Sequence, residues 1–421
     1  MKAQIKFFKN FLLLILFILA PATWMPKGAA VATPLDRQIE HLEARVAKVP
    51  QKIEWRNALA RLYIQKGRET VDALYFNRAE ILLKKTMAED PKNGEAMGLQ
   101  AWISLFKHDF TAAAKSAGMA VHEQPRESFY YGLLSDAYLE LGDYKKAADF
   151  AQKMVNLRPD QGSYSRSAHL RFLYGDAEGA ITLWKTAIRA GAPYAENTAW
   201  CEVELGDLYF NTGKIKESES AYQAALKIFP GYHRGFAGMG KIRESQGKMD
   251  DAEAFYQKAV EVVPYPAYIA ALGDIETRMG KIQRAKEQFA LIEHIARLDT
   301  LNQVLYNRDL ALYYAEHQID PQKAVQIAEK ELDARRDIYT YDILSWVYYQ
   351  NKDYTKADHA VKRALKLGTP DARILFHAGM IFLAEGKRKE SKSCLEKALK
   401  LNPYFHPVYA RLAEETLKSP G

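Results

Sequence analysis

A chain of 421 residues, 48% hydrophobic and 26% charged, is globular in composition, too long for one ordinary core and too apolar to be disordered outside its ends. Its formal charge of +7 is inflated by Lys2, Lys6, Lys9 and Lys27 in an acid-free first stretch, and the remainder is close to balanced. With no long basic run and no aromatic motif interleaved with Lys or Arg, no nucleic-acid partner is expected.

The first elements read as an address. Lys2, Lys6 and Lys9 precede an apolar run from Phe11 to Ala20, Pro21 ends it, and Gly28-Ala29-Ala30-Val31-Ala32 follows. A basic start, a short apolar core and an Ala-x-Ala site have the form of a secretory signal peptide over residues 1–32, with cleavage expected after Ala32 and a second candidate after Ala22. The run is short for a membrane span, and an uncleaved anchor reaching Met25 is the alternative. No Cys stands near the cleavage region, which argues against a lipid anchor, and no second apolar run predicts a stable span in the mature chain.

Residues 33–51 form a linker and a helix, Leu35 to Val49, with Ile39, Leu42 and Val46 on one stripe. This helix is expected to dock on the first repeat as a cap. Residues 52–405 then repeat one theme about ten times. The first unit begins near Lys52 with Trp55, Leu59 and Leu62 inward; Gly67 is expected to end its first helix, and Arg68 to Leu74 to form a lengthened turn before Ala79, Leu83 and Pro91. Units from Gly94, Ser128 and Gln161 follow, the last ending in a longer connection through Pro193.

The clearest statement lies between Trp200 and Pro264. Leu205-Gly206, Tyr209, Gly213, Ser218, Tyr222, Ala225 and Pro230 return thirty-four residues later as Met239-Gly240, Arg243, Gly247, Ala252, Tyr256, Ala259 and Pro264. A fixed period of this length marks an array of helix pairs, none able to bury its apolar face alone. Small residues let a neighbouring helix approach, aromatic residues fill the space between, Gly213 and Gly247 end the first helix of each pair, and Pro230 and Pro264 stop the second. A seventh unit starts at Pro266, its second helix running on past Ile295. An eighth, from Leu305, uses Asp320-Pro321 in place of the glycine turn. A ninth shows Tyr341, Leu344, Tyr348, Ala357 and Ala364, and a tenth Leu375, Gly379, Phe382, Gly386, Leu395, Ala398 and Pro403. Residues 406–421 supply a closing helix, His406 to Lys418.

This pattern resembles the tetratricopeptide-repeat (TPR) family, which implies an all-α superhelical solenoid that binds other proteins along its inner surface. Tyr339-Thr340-Tyr341-Asp342, Gly368-Thr369-Pro370-Asp371-Ala372 and Phe376-His377-Ala378-Gly379-Met380 resemble the C-terminal part of a group of secreted bacterial TPR proteins. That resemblance implies export and a bacterial envelope setting.

The repeats leave no room for a separate catalytic domain, and no enzyme activity, cofactor or metal is expected. The His residues are scattered without metal-ligand spacing, and no phosphate loop, dinucleotide fingerprint or nucleophile elbow occurs. His108, His122, His233 and His359 are expected at the surface or at helix ends. Cys201 and Cys394 lie about two hundred residues apart, a sequence distance expected to keep solenoid residues apart in space, so no disulfide is expected.

TPR geometry turns the second, fifth, ninth, twelfth and thirteenth positions of each first helix to the concave side. These include Asp136, Asp207, Asp274, Asp309 and Asp342, interleaved with Phe129, Trp200, Phe210, Tyr306, Tyr313, Tyr339, Trp346 and Tyr349. Carboxylates beside rings suit a protein or peptide with apolar and basic side chains. The densest group, Tyr306, Asp309, Tyr313, Tyr339, Asp342, Trp346 and Tyr349, is the candidate partner site; the competing reading packs these rings between helices. The paired Lys and Asn with which some TPR domains clamp a C-terminal carboxylate are missing: Arg56, Asn57, Gly98, Trp102 and Asp136 stand there. The expected role is a non-enzymatic protein-binding scaffold or assembly factor of the cell envelope. A carbohydrate-binding or polysaccharide-export accessory, with a glycan partner, is the alternative.

Overall fold

The computed structural model describes residues 33–301 and 307–419, the side chains of 299–301 excepted. The expected signal peptide and Tyr306 lie outside them. Among the described residues all regular structure is helical, in twenty-two helices. Helix Pro34–Lys48 comes first, begun by Thr33 in a reciprocal capping box with Asp36. Ten helix pairs follow. The repeats are Ile53–Thr70 with Ala73–Glu89, Gly94–Phe106 with Phe110–Glu123, Ser128–Glu140 with Tyr144–Leu157, Gln161–Leu173 with Ala177–Ala190, and Glu196–Asn211 with Ile215–Ile228. The second five are His233–Ser245 with Met249–Val262, Pro266–Arg278 with Ile282–Leu301, Arg308–Glu316 with Pro321–Ala334, Ile338–Gln350 with Tyr354–Ala364, and Ala372–Ala384 with Arg388–Leu401. Helix Tyr409–Lys418 ends the described chain.

Within a repeat, the packing follows the residue sizes in the sequence. The Tyr222 ring occupies the place a side chain at Gly206 would need, 2.7 Å from its Cβ position, and Phe289 stands in the same relation to Gly273 at 2.5 Å. Ser218 donates to the Gly206 carbonyl at 2.8 Å, tying the two helices together. Each of the ten hairpin turns holds one residue in the left-handed region: Val71, His108, Gly142, Gly175, Gly213, Gly247, Gly280, Gln318, Lys352 and Gly386, with φ from 50° to 88°. Asp109, Asp143, Asp176, Asp320 and Asp353 cap the helices that follow.

Two expectations are corrected. The first repeat has no lengthened turn: its first helix runs on to Thr70, and Val71, at φ 56°, ends it. Gly67 does not stop that helix because its missing side chain is used for packing; the Phe76 ring lies 3.0 Å from its Cβ position. At the other end the last helix starts at Tyr409 rather than His406. There the His406 ring accepts from the Val408 and Tyr409 N–H groups, both at 3.3 Å, as a side-chain cap would. The run-on of the seventh repeat to Leu301 and the helix start at Asp320-Pro321 agree with the sequence reading.

A third correction changes the architecture. Residues far apart in sequence do meet, because the superhelix closes on itself. Tyr144 Oη accepts from the Ile338 N–H at 2.7 Å across 194 residues, the Thr369 hydroxyl donates to the Leu173 carbonyl at 2.6 Å across 196, and Asn402 Nδ2 donates to the Phe210 carbonyl at 2.7 Å across 192. The Arg336 N–H donates to the Glu140 carbonyl at 2.7 Å. The offset is nearly constant, so one superhelical turn takes between five and six repeats. Hairpin turns of repeats three to five thus lie against the junctions that follow repeats eight to ten.

This seam has its own small core of Tyr144, Leu173, Ile338, Ala364 and Ile374. Beside it the Arg335 guanidinium meets the Glu140 carboxylate at 2.6 Å and lies over the Phe110 ring of the second repeat. Burial, and then Asp337, push the Glu140 carboxyl up to about 7 despite Arg335 and Arg308. Burial, and then Arg335 and Arg308, push the His108 imidazole down to about 4.

Candidate functional site

The inner face is built from the first helices of successive repeats, and its charges form a ladder in which each step joins neighbours. Arg61 meets Glu95 at 2.7 Å, Arg166 meets Asp136 at 2.6 Å, Arg234 meets Glu204 at 3.1 Å and Lys241 meets Asp207 at 2.8 Å. Arg278 bonds Glu244, His317 bonds Asp274 at 2.8 Å, and Arg308 meets Asp337 at 3.1 Å. Arg373 lies 3.6 Å from Asp342, which also accepts from His377 at 2.8 Å. Asp136, Asp207, Asp274 and Asp342, expected beside aromatic rings, are therefore each paired across repeats. Burial works to raise Asp207, yet Lys241 and Tyr222, both bonded to it, hold it below the ordinary carboxylate range. His317 is held above its ordinary value because the bond to Asp274 outweighs burial.

The candidate partner site is only partly a surface. Asp309 is exposed, Tyr339 and Tyr349 are half-buried, and Tyr306 lies outside the described residues. Trp346 and Tyr313 are each 2% exposed and Asp342 is 0% exposed, so their expected place on an open face is corrected. The tenth repeat and the last helix cover Trp346, and the tenth repeat covers Asp342. Trp346 is stacked between Tyr349 and His377, with ring centroids at 4.7 and 4.2 Å, and Tyr409 closes over its edge at 5.5 Å. Tyr313 packs against His317 at 4.7 Å and Phe289 at 5.9 Å. The seven-residue spacing that placed these rings on one stripe is the spacing by which neighbouring first helices interlock.

A different aromatic group went unnoticed in the sequence. Tyr232, His233, Tyr265 and Tyr268, from the starts of the sixth and seventh repeats, meet edge to face or tilted, with centroids 5.4 to 5.8 Å apart. His233 stands at a helix end, one of the two places expected of it, but is 6% exposed and bonded to the Tyr268 hydroxyl at 3.0 Å, and burial followed by Arg234 pushes it down to about 4. Tyr265 keeps 38% of its surface and the adjacent Arg234 side chain 37%. Tyr232 donates to Glu196 at 2.8 Å, and Arg68, on the extra turn of the first repeat, bonds the same carboxylate. The signal is the aromatic residues just after Pro230 and Pro264, which fall at junctions rather than at the concave positions of the first helices.

The tetratricopeptide-repeat pattern matches residues 99–164, 203–268 and 372–405. The chain contains tetratricopeptide repeats over these residues. A stretch of 145 residues is 25% identical to TPR repeat-containing protein MJ1428 of Methanocaldococcus jannaschii, covering 34% of this chain and 23% of that protein. The chain thus spans about a quarter of the length of this curated relative. Among solved structures, similar folds include a human IFIT1 dimer with PPP-AAAA, at 16% identity and TM-score 0.47, covering 87% of this chain and 89% of that one. PilW, described as a widely conserved type IV pilus biogenesis factor, is similar at 15% identity and TM-score 0.41, over 52% of this chain and 96% of its own. Among the described residues no helix is long and apolar enough to cross a membrane, and no group of three or more His, Cys, Asp or Glu is placed to hold a metal ion.

Proposed function

We propose that this chain is a non-enzymatic scaffold that holds another protein, or an extended segment of one, against the inner face of its repeats. The observation that carries this reading is that inner charges are fixed by a partner one repeat away while still reaching solvent: Arg234 keeps 37% of its side-chain surface and Asp274 43%. Charges already held in place pair with a polypeptide at little further ordering cost, and they set register and encounter rate more than raw affinity. Tyr265, beside Arg234, offers ring surface for the same partner. Export to the cell envelope belongs to the proposal, supported by the basic start and apolar run before Thr33.

Affinity capture from an envelope extract tests the role, with wild type beside an Arg234→Ala, Tyr265→Ala variant. A protein retained by wild type and lost from the variant is the expected result. Glycan retained without protein, or equal retention by both baits, would overturn it. For location, the native protein is expected to begin near Thr33 or Thr23, and an intact Met1 in a cytosolic fraction would refute export.

A further inference from the structure

Resting on the reading that the inner face is the binding surface, we infer that the seam is a latch: it opens as a unit while the repeats stay folded, and its opening admits a partner to that face. The seam is built differently from the repeats it joins. Its buried core is five residues, whereas every repeat is packed along the length of two helices and again against its neighbours. The closure is not filled, for a cleft of about 350 Å³ runs into it beside Gly142, Tyr144, Tyr174 and Lys366.

The seam's hydrogen bonds also use groups that the repeats do not need for their own helices. Glu140, Leu173 and Phe210 accept through carbonyls in the last turns of their helices, where intrahelical partners run out. On the donor side, Ile338 is the first residue of its helix and Arg336 precedes it, so neither N–H has a partner within its own repeat. Since a solenoid is held together by neighbour contacts, parting the two turns leaves every repeat with both of its neighbours. What the closed form conceals is the side of the inner wall where the turns meet, including Tyr339, which packs at the edge of the seam core.

Amide hydrogen exchange on the full chain, without ligand, tests the opening directly. The Arg336 and Ile338 amides report the seam alone, and they are expected to exchange at least a hundredfold faster than those of Leu344 and Val347 in the same repeat. In a Tyr144→Phe, Asn402→Ala variant the two seam amides are expected to speed up a further tenfold, with the Leu344 and Val347 rates unchanged and the radius of gyration increased in solution scattering. Seam amides that exchange only at the rate of the repeat cores would overturn the latch. In the capture experiment above, the same variant is expected to retain more partner than wild type; equal or lower retention would overturn gating. If wild type captures nothing, the scaffold reading fails, and the exchange rates still decide whether the seam opens.

Discussion

The hairpin turns of the third and fifth repeats and those of the sixth, seventh and tenth share one local design, a left-handed glycine after the first helix, and differ only in what lies above it. At Gly142 the Arg336 carbonyl sits where a side chain would begin, and at Gly213 the Leu401 carbonyl lies 2.5 Å from the Cβ position. At Gly247, Gly280 and Gly386 nothing comes within 4 Å. One residue type thus serves the backbone everywhere and the closure at some turns only. The position two residues on behaves likewise. Tyr144 is 5% exposed and bonded across the seam, while Tyr354, in the matching place of the ninth repeat, is half-buried and packs on Tyr349 of its own repeat. Local pattern sets the unit; the number of repeats per superhelical turn decides which units are covered.

The largest expected effect lies away from the seam and marks its scale. Trp346→Ala removes a ring enclosed by Tyr349, Phe376, His377 and Tyr409 and is expected to destabilise by about 3 to 5 kcal/mol in denaturant unfolding. Exchange at Arg336 and Ile338 should keep its lead over the repeat cores. A cost below roughly 1 kcal/mol would mean the ring is not core, contrary to its burial.

Next come the glycines themselves. Gly247→Ala is expected to cost roughly 1 to 2 kcal/mol, the penalty of a left-handed side chain in open space. Gly142→Ala bears that penalty and a collision with a carbonyl as well, for roughly 2 to 4 kcal/mol in all, with loss of seam protection. Equal costs for the two would remove the distinction between covered and free turns. A smaller version of the same test uses the tyrosines. Tyr144→Phe strands the buried Ile338 N–H and is expected to cost about 1 to 2 kcal/mol, against nearly nothing for Tyr354→Phe.

The fold was legible because its signals are periodic: Gly206 against Tyr222, Gly273 against Phe289 and the prolines between units all recur. The closure was not, since an offset of 192 to 196 residues follows from small rotations accumulated over several repeats and leaves no repeated residue pattern of its own. Three members of the candidate site were misplaced for a related reason. Trp346 and Tyr313 have the spacing of an exposed stripe, but that spacing equally serves helix interlocking, and only the neighbouring helices show which use is made of it. Asp342 was misread in the same way, because its partners His377 and Arg373 stand a full repeat away.

The finest test concerns the charge at the covered edge. Glu140 has its pKa raised from 4.5 to about 7, so its protonated form is favoured in the closed fold; the stability it contributes is complete below 4.5 and lost as pH rises through 7. Glu331, raised by burial despite Arg335 and Arg308, acts in the same sense. His108 is lowered from 6.5 to about 4, so its contribution is complete above 6.5 and lost as pH falls through 4. Asp337, held below 3.8 by Arg308 against burial, adds a change only in stronger acid. Between 4.5 and 6.5 the histidine therefore opposes the two glutamates at this edge. His108→Gln keeps a polar side chain at the turn and removes the opposing titration. Relative to wild type, its stability in denaturant unfolding is expected to fall by on the order of 1 kcal/mol as pH rises from 4.5 to 7. A His108→Gln profile parallel to wild type would show that the histidine is not desolvated by the second turn, and that the turns stand further apart at this edge than the Arg335 and Phe110 contact implies.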